Sequence, residues 1–365
     1  MPAMYCQKPL LQALIVFFYL STWVANGEML QKGTTQLYKR PAAITWFSYN
    51  FMTLSFLWVA ALRRLNAPKD FQNKENKRES LTNYWRHRFQ EWAGTMGITK
   101  AVGVCVCISQ LLMALNVFMV SGLQCISVSL SNAIYQLQTP LTILLSMIWL
   151  KERFCATQAK GIILAIVGVA FIVVPPLDSK YPCIKGILQT IVSSMIGAVY
   201  LISWRWLDRK NAAESSTREG FVDAHFTLGM IGVCNLLTGW PILIILHILD
   251  IEQFEWPNDR TVWSWLIVNG IVEYLFDVAC AVAIYVTSPV VVSVTAPLTI
   301  PLSILVDRKL QTNEIGIPLD WFLFAGGVLV LVGTVLMKTK PYLSKITRSA
   351  SEKRKQEDYG SQMVV

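Results

Sequence analysis

Apolar residues in this chain gather into ten runs of about twenty, most of them set apart by polar breaks; the third and fourth, and the eighth and ninth, are joined by turns too short to carry charge. The runs are Leu10–Leu30, Ile44–Leu62, Ala101–Leu123, Ile126–Trp149, Gly161–Pro176, Gly186–Trp206, Phe226–Leu249, Thr261–Ile284, Val286–Val306 and Leu319–Met337. A helix of about twenty residues crosses a hydrocarbon layer of about 30 Å. The expected fold class is therefore all-α, a polytopic membrane protein with ten transmembrane helices. Lys8 precedes the first run in the manner of a signal peptide, but no small-residue cleavage site follows, so the run reads as a retained helix. The long polar break, 63–100, carries Leu81, Trp85, Phe89, Trp92 and Met96 at helical spacing, with Arg86 and Arg88 off that stripe. This predicts an amphipathic helix lying either in the headgroup layer or on the protein's own cytoplasmic face. Thr347–Val365 has no apolar period and reads as a disordered cytoplasmic tail.

Composition agrees. Of 365 residues, 54% are hydrophobic and 15% charged, and mean hydropathy is +0.45. Soluble domains carry about 25% charged residues, so a soluble enzyme, a disordered chain and a coiled coil are excluded. The net charge of +9 would suit nucleic acid, but its distribution changes the picture. With ten spans, Lys and Arg fall on one side by roughly three to one, which puts both termini in the cytoplasm and implies no nucleic-acid partner. The opposite side holds Asp250, Glu252, Glu255 and Asp259, read as a solvated loop rather than a metal site. The eight Cys lie mostly in or beside apolar runs, act there as small hydrophobes and form no recognisable disulfide framework. His87, His225 and His247 have no partner at metal spacing. No phosphate-binding Gly-rich loop occurs, so ATP-driven transport is not expected. The expectation is no cofactor, no metal and no enzyme activity.

A repeat sets the organisation. PLTILLSMIWLKER, Pro140–Arg153, matches PLTIPLSILVDRKL, Pro297–Leu310, at an offset of 157. Pro140, Leu141, Thr142, Leu145 and Ser146 fall on Pro297, Leu298, Thr299, Leu302 and Ser303. The match equates span four with nine and five with ten. The expected halves are 1–180, including the loop 63–100, and 181–340, followed by the tail 341–365. Five spans per half turn the second copy upside down, a signature of secondary transporters. Pro140 and Pro297 predict matched kinks.

With these residues in hand, the chain resembles the drug/metabolite transporter superfamily, of the EamA-like kind. The resemblance lies in the five-plus-five spans, in LKERFCATQAKGIILAIVGVAFIV after the kinked fourth helix, and in AVYLISWRW, Ala198–Trp206. The second half is similar to the F branch of the solute carrier 35 families, through Val268–Gly270 and Thr287–Asp307. The resemblance implies a carrier with its pocket between the halves near mid-membrane. Substrates of the wider group include nucleotide sugars, phosphorylated sugars, amino acids and thiamine, and the matching residues do not choose among them. Asp307 beside Arg308 and Lys309 departs from the pattern.

Ionisable groups inside a bilayer are expensive and mark function by default. Glu273 and Asp277 sit one turn apart near the middle of span eight, with Tyr274 beside them and no basic residue in that span. Such a pair suits proton coupling or a cationic substrate; its bland reading is a structural hydrogen bond to another helix. The offset places Asn116 opposite Glu273. Asn132, Gln136 and Gln138 bring polarity into span four, either to bind substrate or to hold helices together. Glu28 ends span one, where it reaches water, and Arg205, near the cytoplasmic end of span six, either meets an anionic group of the substrate or reaches the headgroups. Gly168, Gly326, Gly327 and Gly333 read as close-packing positions, Gly333 with a homodimer face.

The expected function is secondary-active transport of a small organic metabolite by alternating access. Narrower readings are a nucleotide-sugar or thiamine-type carrier; the reading from another class is a non-transporting membrane scaffold. Expected partners are the small-molecule substrate, the lipid bilayer, a coupling proton and a second copy. The location is an endomembrane (Golgi or vacuole) or the plasma membrane.

Overall fold

The lipid-length apolar runs give helices because a helix satisfies every backbone N–H and C=O within its own segment. The computed structural model describes residues 9–66, 81–93, 97–149, 155–177, 183–211, 217–287, 289–310, 322 and 324–337. Among the described residues there is no strand. Helix α1 (Pro9–Lys32) runs on through a π-helical turn to Leu37. Next come α2 (Pro41–Asn50) and α3 (Ser55–Asn66), joined by the 3₁₀ turn Phe51–Leu54. After α4 (Leu81–Ala93) follow α5 (Ile98–Gly122), α6 (Val128–Tyr135), α7 (Gln138–Trp149) and α8 (Ala156–Leu177). The remainder holds α9 (Ile184–Asn211), α10 (Thr217–Thr238), α11 (Trp240–Ile248) and α12 (Arg260–Val286). The last elements are α13 (Pro289–Thr295), α14 (Thr299–Leu310) and α15 (Phe324–Met337).

Among the described residues, six rods are long and apolar enough to cross a membrane: Pro9–Leu37, Ile98–Gly122, Ala156–Val174, Ile184–Ser203, Ala224–Ile248 and Arg260–Ile284. Val291–Asp307 and Phe324–Met337 are shorter apolar helices. Leu10, Phe17, Ile163, Leu188, Leu237 and Ile245 point outward, as a surface facing lipid requires. The protein is an all-helical, multi-pass membrane protein. The tail 341–365 and the basic cluster at Lys151 and Arg153 lie outside the described residues.

Both repeat prolines sit at breaks. Helix α6 ends at Gln136–Leu137, where Gln136 N reaches Asn132 O and Ala133 O, both at 3.3 Å, and α7 starts two residues before Pro140. Pro297 lies in the 3₁₀ turn Ala296–Leu298 between α13 and α14. A proline lacks the N–H needed by the preceding turn, and the chain answers by tightening there.

Three expectations change. The α4 stripe faces the chain itself and not the headgroups. Trp92 donates to Thr227 Oγ1 at 3.0 Å, and Phe56, Trp85, Phe89 and Trp92 surround Phe226. Met96 lies outside the described residues. Second, Cys125 and Cys183 form a disulfide, with Cα atoms 6.1 Å apart, although no disulfide was expected. Their separation of 58 residues carries no spacing signal; packing of α5 on α9 brings them together. Third, the acidic loop is not simply solvated. Glu252 accepts from Ala42 N at 3.0 Å and Ala43 N at 3.1 Å, so it caps α2 from afar, while Arg40 pairs with Glu255 at 2.8 Å. Burial pushes the Glu252 carboxyl above its usual range, against the pull of those two amides and of Arg40.

Helices α8 and α15 cross through glycine. A Cβ on Gly161 would stand 2.7 Å from Gly333 O, and one on Gly168 2.7 Å from Gly326 O. A Cβ on Gly333 would likewise stand 2.7 Å from Gly161 O, so the dimer face expected at Gly333 is taken up by the chain's own α8.

Candidate functional site

Asp259 starts α12 by accepting from Thr261 N at 2.9 Å, and the helix then runs 27 residues through the centre. Helical spacing puts Asn269, Glu273, Asp277 and Cys280 on one face. Asn269 donates to Ser48 Oγ at 2.8 Å. One turn on, Glu273 is only 6% exposed. Its Oε2 accepts from Asn26 Nδ2 at 2.5 Å, and its Oε1 from Tyr49 Oη at 3.2 Å. None of the ion pairs among the described residues reaches it. Two neutral donors, from α1 and α2, thus hold a carboxyl inside the bundle. A further turn on, Asp277 lies beside Glu273, Tyr49 and Cys280, and its Oδ2 is buried without a hydrogen-bond partner among the described residues.

Helix α1 links this face to α6. Trp23 donates to Asn132 Oδ1 at 3.2 Å, and Asn132 Nδ2 donates to Ser303 Oγ of α14 at 3.4 Å. An aromatic wall joins the two ends. Tyr19 stacks on Phe276 at 5.8 Å, Trp23 meets Phe276 edge-on at 5.5 Å, and Trp23 meets Tyr135 at 6.3 Å. Tyr135 stands beside both Gln138 and Glu273. Buried carboxyls against aromatic faces, with neutral donors alone, can take up a proton or face a cation.

The fold thus brings Glu273, Asp277, Asn132 and Gln138 around one centre. Gln136 is buried nearby in sequence, its Nε2 without a partner among the described residues. Tyr274 turns to an adjoining side of α12, beside Ser55 and Trp58. Asn116 donates to Leu112 O, four residues back in its own helix, at 3.0 Å, and makes no described hydrogen bond to the Glu273 group. The Arg205 side chain lies outside the described ones. Sequence reasoning missed Asn26, Tyr49, Trp23, Tyr135 and Ser303. Asn26 carried a signal, an amide well inside an apolar run; Tyr49 and Trp23 look like ordinary lipid-span aromatics. Among the described residues no three His, Cys, Asp or Glu form a metal-holding group.

No family model matches the chain. Over 186 residues it is 30% identical to Bos taurus "Solute carrier family 35 member F5", covering 49% of this chain and 32% of that protein. It is 24% identical over 298 residues to human "Solute carrier family 35 member F3", covering 80% of this chain and 66% of that protein. The recurring likeness is to the F branch of solute carrier family 35. Saccharomyces cerevisiae "Thiamine-repressible mitochondrial transport protein THI74" is 22% identical over 316 residues, covering 82% of this chain and 83% of that protein. The chain thus spans about a third of the length of the family 35 F5 relative that it matches. By their names these relatives are transporters and not enzymes, as the repeat and the absence of catalytic motifs had suggested.

Proposed function

We propose that the chain is a secondary-active carrier of a small organic metabolite, working by alternating access, with Glu273 and Asp277 at its centre. The observation that carries this reading is Glu273, buried mid-helix between Asn26 and Tyr49 beside an unpartnered Asp277 oxygen. The bonds from Asn26 and Tyr49 alone would suit a structural carboxyl; what favours function is that no ion pair among the described residues reaches this one, and that it lies beside a second acid. Two acids would repel the phosphates of a nucleotide sugar, so the arrangement favours the narrower thiamine-type reading, an organic cation, or a coupling proton.

The ten spans of this reading are α1, α2–α3, α5, α6–α7, α8, α9, α10–α11, α12, α13–α14 and α15. Helix pairing supports two inverted halves. The packing of α5 on α9 has its image in α12 on α1, and that of α10 on α5 in α2 on α12. The glycine crossing repeats too, because Gly161 against Gly333 becomes Gly326 against Gly168 under the exchange of halves. For orientation, disulfides persist in oxidising compartments and are rare in the cytosol. Cys125 and Cys183 fall on the side that the Lys/Arg distribution makes non-cytoplasmic, so two independent features favour cytoplasmic termini.

The test is uptake into proteoliposomes containing only this chain, offered radiolabelled thiamine or a nucleotide sugar, across pH. Glu273→Gln keeps shape and hydrogen bonding, since a Gln amide can accept from Asn26 and meet Tyr49. Wild type is expected to take up the cation, and Glu273→Gln to fold normally with uptake nearly abolished or its pH dependence lost. Equal curves at equal abundance would leave Glu273 a structural residue.

A further inference from the structure

We propose that Asp307 is a latch, closing the non-cytoplasmic entrance by seating its carboxylate on the N-terminus of α6. The proposal rests on the alternating-access reading above and adds to it the identity of a gate. Helix α6 begins with buried amides that its own helix cannot pair. Ser127 Oγ takes one of them, Leu130 N, at 3.3 Å. Asp307 Oδ2, carried on the last turn of α14, takes another, Ser129 N, at 3.2 Å. A carboxylate at a helix start meets both a donor and the positive end of the helix dipole.

The contact lies in a seam. Toward the rim, Gln31 of α1 donates to Ile126 O at 2.8 Å. Toward the centre, Asn132 of α6 joins Ser303, one turn below Asp307, and receives Trp23. Glu28 of α1 comes against the Asp307 carboxyl, so two elements of one bundle, α1 and α14, meet α6 at the same place. The receiving side is fixed: Cys125 in the turn before α6 is tied to Cys183 before α9. Movement of α14 would therefore draw Asp307 away from a rim that does not follow.

In the repeat, α6 corresponds to α13, which packs on α12 and on its own 3₁₀ turn. Among the described residues the packing of α13 on α7 or α9 does not match that of α14 on α6. The repeat counterpart of Asp307 is Leu150, which has no charge to offer a helix start. The seam thus closes the non-cytoplasmic side, and of its two acids, Glu28 and Asp307, it is Asp307 that sits on the helix start as the releasable fastening.

A thiol reporter tests this. Ser303→Cys is placed in a full-length chain whose free cysteines are replaced and whose Cys125–Cys183 bridge is kept. The protein sits in proteoliposomes of known orientation and meets a membrane-impermeant thiol reagent from either face. The reporter in the parent is expected to react from the cytoplasmic face and hardly from the other. Asp307→Ala should raise non-cytoplasmic labelling about tenfold, the shift expected on losing one charge-assisted hydrogen bond. Asp307→Asn, which keeps an acceptor, should raise it less and decides the matter if the alanine variant does not fold. Glu255→Gln, an acid on the same face held by Arg40, should leave it unchanged. Unaltered non-cytoplasmic labelling in both Asp307 variants, with cytoplasmic labelling intact, overturns the latch and leaves the carrier reading standing. Labelling by a permeant maleimide alone, from neither face by the impermeant reagent in any variant, overturns the carrier reading itself.

Discussion

The glycine crossing of α8 and α15 makes a quantitative demand. In lipid, helices gain little from excluding apolar surface, so association depends on close contact. A methyl at Gly168 would stand 2.7 Å from Gly326 O and 2.9 Å from Leu329 Cβ; one at Gly161 would stand 2.7 Å from both Gly333 O and Met337 Cγ. The obstacles include backbone oxygens, which cannot rotate away, so the helices must part. Overpacking of this kind costs about 1–3 kcal/mol. Gly168→Ala and Gly326→Ala should each lower stability by that amount in thermal unfolding of purified protein in one detergent. The two glycines oppose each other, so the gap opened by one substitution admits the second methyl, and the double variant should lose clearly less than the sum. Gly161→Ala with Gly326→Ala acts at separate crossings about 10 Å apart along the helices and should be nearly additive. Gly327 is the control: its added Cβ would lie 3.4 Å from Ile300 Cγ2, and alanine is the better helix former by about 1 kcal/mol. Gly327→Ala should therefore be neutral or stabilising. Wild-type stability of Gly168→Ala and Gly326→Ala, or full additivity within the pair, would refute the crossing.

Two further outcomes follow from the loops that hold Glu252 and the Cys125–Cys183 bridge. The Glu252 carboxyl binds its proton more tightly folded than unfolded, so the stability it confers is complete at low pH and lost as pH rises through its raised range. Melting temperatures of wild type minus Glu252→Gln should thus fall as pH rises above the usual glutamate range, about pH 4, and a rise would contradict this. Blocking free thiols and then reducing should expose two more, at Cys125 and Cys183, by peptide mass. Removing that bridge should cost at most about 4 kcal/mol, the loop-closure value for a separation of 58 residues, and fully reactive Cys125 and Cys183 before reduction would rule the bridge out.

What could be read from sequence divides along physical lines. A bilayer forces long apolar helices whatever their neighbours, so Ile98–Gly122 and Arg260–Ile284 announce themselves. Prolines impose local geometry, so the breaks near Pro140 and Pro297 were foreseeable. Glu273 and Asp277 stood out because charge in an apolar run is rare. Their surroundings were hidden, since pairing depends on which helices meet: Tyr49 lies 224 residues from Glu273, and its hydroxyl disturbs no apolar pattern. Asn116 is a different case. Repeat arithmetic gives it the position that matches Glu273 in the other half, and says nothing of its partner, which is Leu112 O of its own helix, an acceptor that a half-buried Asn finds close by. The seat of α4 was undecidable for a related reason, as an apolar stripe fits lipid and protein equally well.

The Glu252 cap has a bearing on biosynthesis. Helix α2 is synthesised early, but the carboxyl that satisfies Ala42 N is 210 residues further along the chain. At about 5–20 residues per second, translation leaves that helix start without its partner for roughly 10–40 s. Until then the amides of Ala42 and Ala43 must stay in water or be held by another protein. The nascent first half is thus an incomplete object, and a chaperone or insertase that shelters one loop at the membrane surface would find its client there.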